Sequence, residues 1–231
     1  MPSRDDDILD HIGLYRISLR FVIERLFFEG MNCGNVIQRL IKQKRVLSMA
    51  GLPGSLAYYQ LTLGEARRRN LPQDRGRAFG PRALATHLAI LWFCSVTQVP
   101  RRRLEAAELR DLFDRVPSGC PHVGQGGPKP RVYRVYVVSS GTRIADVIKR
   151  LRSEIGSTLR KPPLGAWTAG GRYVFALLTD AAPRAEALAR AVERAELHQR
   201  AQILCDGVPS PLTIQDAIHD ARDRMGSAAS E

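Results

Sequence analysis

The chain opens with two short helical patterns. A helix over 5–15 is predicted because Ile8 and Ile12 fall on one face, behind an acidic run that suits a helix N-terminus. A second helix is predicted to begin at Ser18, as its N-cap, and to extend to Phe28. A Glu-Gly-Met turn follows, which is typical of a helix-turn-helix connection.

A third, strongly amphipathic helix is predicted after that turn, with Asn32 as its cap. Its inward positions are Val36, Ile37, Leu40 and Ile41. Its outward positions are Asn35, Gln38, Arg39 and Lys42. Such a helix, polar on the outside and apolar on the inside, suits a major groove.

Two strand-like runs come next, at 46–49 and 57–61, and they bracket the turn-rich segment 51–55. Thr62 with Glu65 three residues later then forms a capping-box pattern that predicts a new helix. Three helices followed by a hairpin predict a winged helix-turn-helix domain over residues 1–71, with the hairpin as its wing.

The outward face of the third helix carries two kinds of DNA-binding chemistry. Amides can bond bidentately to adenine and Arg to guanine, whereas Lys and Arg neutralise phosphates. The residues predicted to read base edges are Asn32, Asn35, Gln38 and Arg39. The residues predicted to hold phosphates are Arg16, Arg20, Lys42, Lys44 and Arg45.

Residues 72–116 read as a linker and a helical connection. The segment 82–96 is too apolar to stand exposed, so it is expected either to roof the winged domain or to form a two-fold interface. His87 lies within it and is predicted to be a core histidine. The strongest boundary signal is 117–130, a linker with four prolines and four glycines.

Residues 131–231 alternate between strand-like and helical runs. The predicted strands are 132–138, 173–179 and 201–205, and the predicted helices are 144–155, 182–197 and 213–225. The fold class is therefore α/β, α+β overall, with a small α/β domain after the winged helix.

The composition and charge of the chain indicate the class of its binding partner. The net charge of +12 and the isoelectric point near 10.2 favour a polyanion, most simply nucleic acid. Aromatic residues make up only 6% of the chain, which favours duplex DNA over a single-strand stacking platform. There is no apolar run of about 18 residues, and four scattered cysteines suggest neither a disulfide framework nor a zinc ribbon. The prediction is a cytoplasmic protein without a membrane partner.

Several of these segments together resemble a known family. The winged region, the Tyr58–Ala66 transition, the Arg82–Leu91 helix and the Leu104–Arg110 stretch resemble the replication-relaxation family of bacterial plasmids and mobile elements. The resemblance implies a DNA-binding winged helix joined to a restriction-endonuclease-like α/β core.

That resemblance raises the question of a metal-dependent nuclease, which needs clustered carboxylates and a nearby Lys. The run 132–138 has no acidic residue and carries Arg134 where a carboxylate would be useful. The remaining candidates are Glu108, Asp180 and Asp206, and no Lys follows them at a suitable offset. The core is therefore interpreted as degenerate, with no catalytic residue, metal ligand or cofactor assigned.

The first hypothesis is a homodimeric, sequence-specific duplex-DNA-binding regulator of transcription or replication, acting by site occupancy. Its α/β domain would dimerise, bind a further protein partner or sense a ligand. The alternatives are a nuclease or nicking enzyme of mobile DNA, and an adaptor whose basic surface binds an acidic protein.

Overall fold

The structure is a computed structural model that describes residues 3–97, 99–117 and 119–228. The helices are α1 (Arg4–Tyr15), α2 (Arg20–Phe27), α3 (Gly34–Lys42), α4 (Leu63–Arg68), α5 (Pro81–Ser95), α6 (Ala106–Phe113), α7 (Ile144–Leu159), α8 (Leu164–Ala169), α9 (Ala182–Arg194) and α10 (Ile214–Ala228). The strands are β1 (Ser18–Leu19), β2 (Val46–Met49), β3 (Tyr58–Leu61), β4 (Arg102–Arg103), β5 (His122–Gln125), β6 (Arg131–Val138), β7 (Tyr173–Thr179) and β8 (Ile203–Gly207). The predicted α/β class is confirmed.

The chain divides into two compact units. The first comprises Met1–Val96 together with Pro209–Glu231, and the second comprises Thr97–Val208. This division differs from the predicted boundary at 117–130, because β4 and α6 lie in the second unit and β5 lies inside the predicted linker. It also differs at the C-terminus, where α10 belongs to the first unit.

In the first unit, three helices and a small antiparallel sheet enclose one core. The sheet has the strand order β1-β3-β2, and β2 and β3 form the predicted hairpin. The core residues come from α1, α2, α3 and both hairpin strands, and they include Ile8, Ile12, Ile23, Leu40 and Leu61. Of these, Ile8, Ile12 and Leu40 are inward positions of the predicted helices.

The start of the second helix differs from its prediction. Ser18 is fully buried in β1, and its hydroxyl lies 3.1 Å from Nε2 of His11. The helix begins at Arg20 with no side-chain cap. Ser18 therefore joins α1 to the sheet and does not cap α2.

The C-terminal helix α10 packs against α2. The guanidinium of Arg222 lies 5.6 Å from the ring centroid of Phe21 and donates to Glu24 at 3.2 Å. These contacts explain why residues distant in sequence share the first unit.

Helix α5 is buried within the single chain. Leu88, Leu91 and Phe93 are fully buried, and Trp92 stacks on Phe21 of α2 with ring centroids 6.4 Å apart. His87 is buried as predicted and lies against Phe79. Of the two roles predicted for this helix, packing within the first unit fits the roof, and the two-fold interface stays a prediction.

The second unit is a five-stranded sheet in the order β4-β5-β6-β7-β8. The pairs β4/β5 and β5/β6 are antiparallel, whereas β6, β7 and β8 run parallel, with α7 and α8 or α9 as the crossovers. Residues from α6, α7 and α9 pack with β6 and β7 in one core, which includes Phe113, Leu151, Phe175 and Leu188. The predicted run 173–179 matches β7, every residue of which is buried.

Two buried histidines are expected to make the folded state less stable at acidic pH. Burial lowers the pKa of His11 to about 4, and burial with the neighbouring Arg134 charge lowers the pKa of His122, whose Nε2 lies 2.8 Å from the Tyr173 hydroxyl, to about 3. Unfolded histidines bind protons below about pH 6.5, so the folded state loses stability as pH falls from there towards these lowered values. Each histidine is expected to lower the free energy of unfolding by about 2 kcal/mol as the pH falls from 7 to 5.

Urea unfolding at pH 7, 6 and 5 checks this expectation. His11→Gln should flatten the pH dependence of the free energy of unfolding of the first unit. A pH dependence equal to that of the native chain would contradict the assignment.

Among the described residues, no helix has the length and apolarity needed to cross a membrane.

Candidate nucleic-acid interface

The outer face of α3 is polar, exposed and backed by the core. Ile37 and Leu40 are buried on its inner side, whereas Asn35, Gln38 and Lys42 are exposed on the other. Positions 35, 38 and 42 follow helical i, i+3, i+7 spacing and so form one stripe. The nine residues of α3 make a helix about 13 Å long.

Four predicted DNA-binding residues are free to meet a ligand. Within the described part of the chain, Asn35, Gln38, Lys42 and Lys44 have no side-chain hydrogen bond or ion pair. Lys44 follows the end of α3 in a left-handed backbone conformation (φ 56°), and its carbonyl accepts from the Thr62 hydroxyl at 2.8 Å. The backbone under this side chain is therefore fixed, while the ammonium group is exposed.

Asn32 and Arg20 serve the start of α3 instead. The Asn32 side-chain oxygen accepts from the Gly34 amide and from Nη2 of Arg20, both at 2.7 Å. Arg20 also donates through Nε to Glu24 at 2.8 Å. The N-cap position belongs to Cys33, one residue after the predicted one. The prediction of Asn32 as a base reader and Arg20 as a phosphate contact does not fit these internal bonds.

Arg39 lies on the outer face but is paired. Its Nη2 donates to both carboxylate oxygens of Asp5, at 2.6 and 2.8 Å, and its side chain stays 52% exposed. The acidic start of α1 therefore reaches the predicted reading face, a contact that the sequence alone gives no signal for.

Arg16 and Arg45 are held within the first unit. Arg16 binds Asp74 through a hydrogen bond to its carbonyl (2.5 Å) and an ion pair (3.2 Å), and its guanidinium lies 4.8 Å from the Phe79 ring centroid. Arg45 donates to Asp6 at 3.3 Å and to Glu65 at 3.0 Å. Neither fits its predicted role as a phosphate contact, because each has a carboxylate partner and only 18% of the Arg16 side chain and 26% of the Arg45 side chain are exposed.

Glu65 is the centre of an ion network that joins α1, the segment after α3, and α4. Its side chain is 2% exposed and accepts from Arg45 and, at 2.9 Å, from Nε of Arg69. Arg69 also donates to Asp6 at 2.6 Å and to Asp10. Burial alone would raise the pKa of Glu65, but the hydrogen bonds from Arg45 and Arg69 outweigh burial and lower it.

The hairpin tip packs against α10. A Cβ atom on Gly54 would lie 2.0 Å from the side-chain oxygen of Gln215, and Leu52 is buried. The β2/β3 hairpin that was predicted to be the wing therefore has a partly covered tip, in which Leu52 is buried while Gly51 and Ser55 are exposed.

The carboxylates considered for a nuclease have other roles. Glu108 forms an ion pair with Arg102. Its carboxylate also accepts from the Glu105 amide at 2.9 Å, which closes a capping box at the start of α6. Asp206 lies on β8, at the opposite edge of the sheet from β4, which carries Arg102. Arg134 pairs with Glu154 at 2.9 Å. Across the described residues, no three His, Cys, Asp or Glu side chains are grouped so that they could hold a metal ion.

The candidate interface is therefore smaller than the predicted one, and it consists of the α3 stripe and the residues just after it. Comparison of the chain with protein families, with curated proteins and with solved structures found no match. The resemblance to the replication-relaxation family stays a prediction, and the function is argued from this chain's own residues.

Proposed function

We propose that this protein is a sequence-specific duplex-DNA-binding regulator that acts by occupying its site, with α3 in the major groove. The observation that carries the proposal is the stripe of Asn35, Gln38 and Lys42, which is exposed and has no side-chain partner among the described residues. The other face of the same helix is buried in the core. Exposed amides on a rigid helix are what base-edge readout needs, because bidentate amide contacts distinguish adenine in the major groove.

The geometry revises the roles of the individual residues. Asn35 and Gln38 are the base readers, and Lys42 and Lys44 neutralise phosphates. Arg39 would join them only after giving up Asp5, whose carboxylate competes with DNA for the guanidinium. Asn32 and Arg20 support the start of α3, and Arg16 and Arg45 form ion pairs elsewhere in the first unit.

The charge of the whole chain supports the same partner. A net charge of +12 favours encounter with a polyanion, whose bound counterions are released as phosphates are neutralised. We place such a regulator in the cytoplasm, where bacterial DNA lies, and we keep the homodimer as a proposal with no interface assigned.

The test compares Asn35→Ala/Gln38→Ala with the native chain. A duplex selected from a random pool by the native protein should lose about 30-fold or more in affinity, since each bidentate contact is worth about 1–3 kcal/mol. Affinity for random duplex should stay within about twofold, because phosphate contacts supply it.

The matched control is Gln199→Ala/Gln202→Ala, which removes two exposed amides from the second unit. It should bind as the native chain does. If the native protein selects no sequence, or if both double variants bind alike, the proposal is wrong. Failure to retain any duplex at low salt would favour the adaptor alternative instead.

A further inference from the structure

The hairpin is a poor second DNA contact in this protein. Residues 50–57 contain no Lys, Arg or His, and the tip lies against Gln215 of α10. A protein that inserts one helix into a groove still needs phosphate contacts beside it to fix its register on the duplex. Lys42 and Lys44 supply such contacts at the end of α3, and the element packed beside them is the place to look for more.

Helix α4 is fixed directly to the end of α3. The Thr62 amide donates to the Arg45 carbonyl at 3.0 Å, and the Thr62 hydroxyl donates to the Lys44 carbonyl at 2.8 Å. The same hydroxyl accepts from the Glu65 amide at 3.1 Å and so caps α4. These bonds leave α4 little freedom to move relative to the residues that follow α3.

The charged groups of this junction differ in exposure. The Glu65 carboxylate is 2% exposed and pairs with Arg45 and Arg69, which also pair with the more exposed Asp6 and Asp10. Lys44 is exposed and has no side-chain partner among the described residues. Arg68 reaches Glu65 at 2.7 Å but keeps 62% of its side chain exposed. Lys44 and Arg68 are therefore the cations of this junction that face solvent most fully.

A shallow depression of about 470 Å³ connects the two elements. Its lining runs from the residues after α3 to the outer side of α4 and consists of Gln43, Arg45, Glu65, Arg68 and Arg69. Arg45 and Arg69 pair with Glu65, so Arg68 is the most exposed cation of this lining, and Lys44 precedes the lining residue Arg45 in the chain. A phosphate group fits this chemistry, because it accepts several hydrogen bonds from Lys and Arg at once.

We propose that Lys44 and Arg68 form a second contact with duplex DNA, in which they hold backbone phosphates beside the groove that α3 enters. The contact takes the place of a basic wing. It rests on the proposed function, and it adds an affinity determinant that carries no sequence information.

The test is the salt dependence of binding to the selected duplex and to random duplex. For Lys44→Ala/Arg68→Ala, the slope of log affinity against log salt concentration should be smaller in magnitude by about 1.8, since each lost phosphate contact removes about 0.9. The loss should be the same for both duplexes, unlike that of Asn35→Ala/Gln38→Ala.

The matched control is Lys149→Ala/Arg190→Ala, which removes an exposed Lys and an Arg in an exposed ion pair with Glu186 from the second unit. Its slope should equal that of the native chain, and thermal unfolding of all the variants checks that each is folded. A native slope for Lys44→Ala/Arg68→Ala, or an equal decrease in the control, would overturn the second contact while the proposed function stands. Absence of duplex binding by the native chain would instead remove the proposed function and this contact with it.

Discussion

Replacing Phe113 with alanine is expected to lower the free energy of unfolding of the second unit by about 4 kcal/mol. This is the middle of the range for replacing a buried aromatic side chain with alanine. Phe113 ends α6 and is 0% exposed. Its ring meets Trp167 of α8 and Tyr173 of β7 edge to face, with centroids 5.1 and 5.7 Å apart. The variant loses these contacts and leaves a cavity that the surrounding sheet and helices can fill only in part.

This substitution also tests where the second unit begins. Phe113 lies before the predicted linker at 117–130, yet it packs in the core of the sheet. Denaturant unfolding followed by circular dichroism measures the effect, with Leu112→Ala as the control, because Leu112 is 38% exposed. A loss below about 1 kcal/mol for Phe113→Ala, or an equal loss for both, would contradict the placement of α6 in this core.

Replacing Glu65 with glutamine is expected to cost the first unit about 3 kcal/mol. Removing one partner of a buried ion pair typically costs about 3–5 kcal/mol because it leaves charges uncompensated. The lower end applies here, since Arg45, Arg68 and Arg69 are all partly exposed. The change keeps the side-chain volume, so the loss reports charge and hydrogen bonding, not packing.

The pH dependence separates this effect from a general loss of fold. The pKa of Glu65 is lowered in the folded chain, so its contribution is present above the ordinary carboxyl pKa of 4.5 and is lost as pH falls through the folded value. The difference between the native chain and Glu65→Gln should therefore shrink below about pH 4.5.

Glu186→Gln is the control for that experiment. Glu186 pairs with Arg190 at 3.7 Å, and both side chains are well exposed. An exposed pair of this kind is worth about 0–1 kcal/mol. Equal losses for the two glutamine variants, or a Glu65→Gln loss that does not change with pH, would contradict the central role of Glu65.

The elements that could be predicted from the sequence are those whose signal is local. Strand β7 is a run of seven buried residues, and the Thr62 cap and the two faces of α3 follow from spacing within one helix turn. In each case, the residues that determine the structure are neighbours along the chain.

The features that were not predicted depend on partners far away in sequence. Strand β5 is four residues long, contains a glycine, and is formed by pairing with β4 and β6. Arg16 meets Asp74, 58 residues later, and Arg45 meets Asp6, 39 residues earlier. A basic side chain in the sequence carries no mark that distinguishes a phosphate contact from an ion pair within the fold.

The candidate site was therefore predicted in part. The outward stripe of α3 follows from periodicity, and the chemistry of its amides follows from residue type. The exclusion of Arg16, Arg45 and the hairpin tip follows only from tertiary packing, in particular from the contact between Gly54 and Gln215.

The most direct test of α3 as a DNA reader is a footprint of the protein on its selected duplex, measured side by side with Asn35→Ala/Gln38→Ala. The account predicts a short protected segment with contacts to base edges in the major groove, and it predicts that protection disappears for the variant at the same protein concentration while non-specific binding remains. Uniform protection along the duplex, or an identical protected segment for the variant, would contradict it.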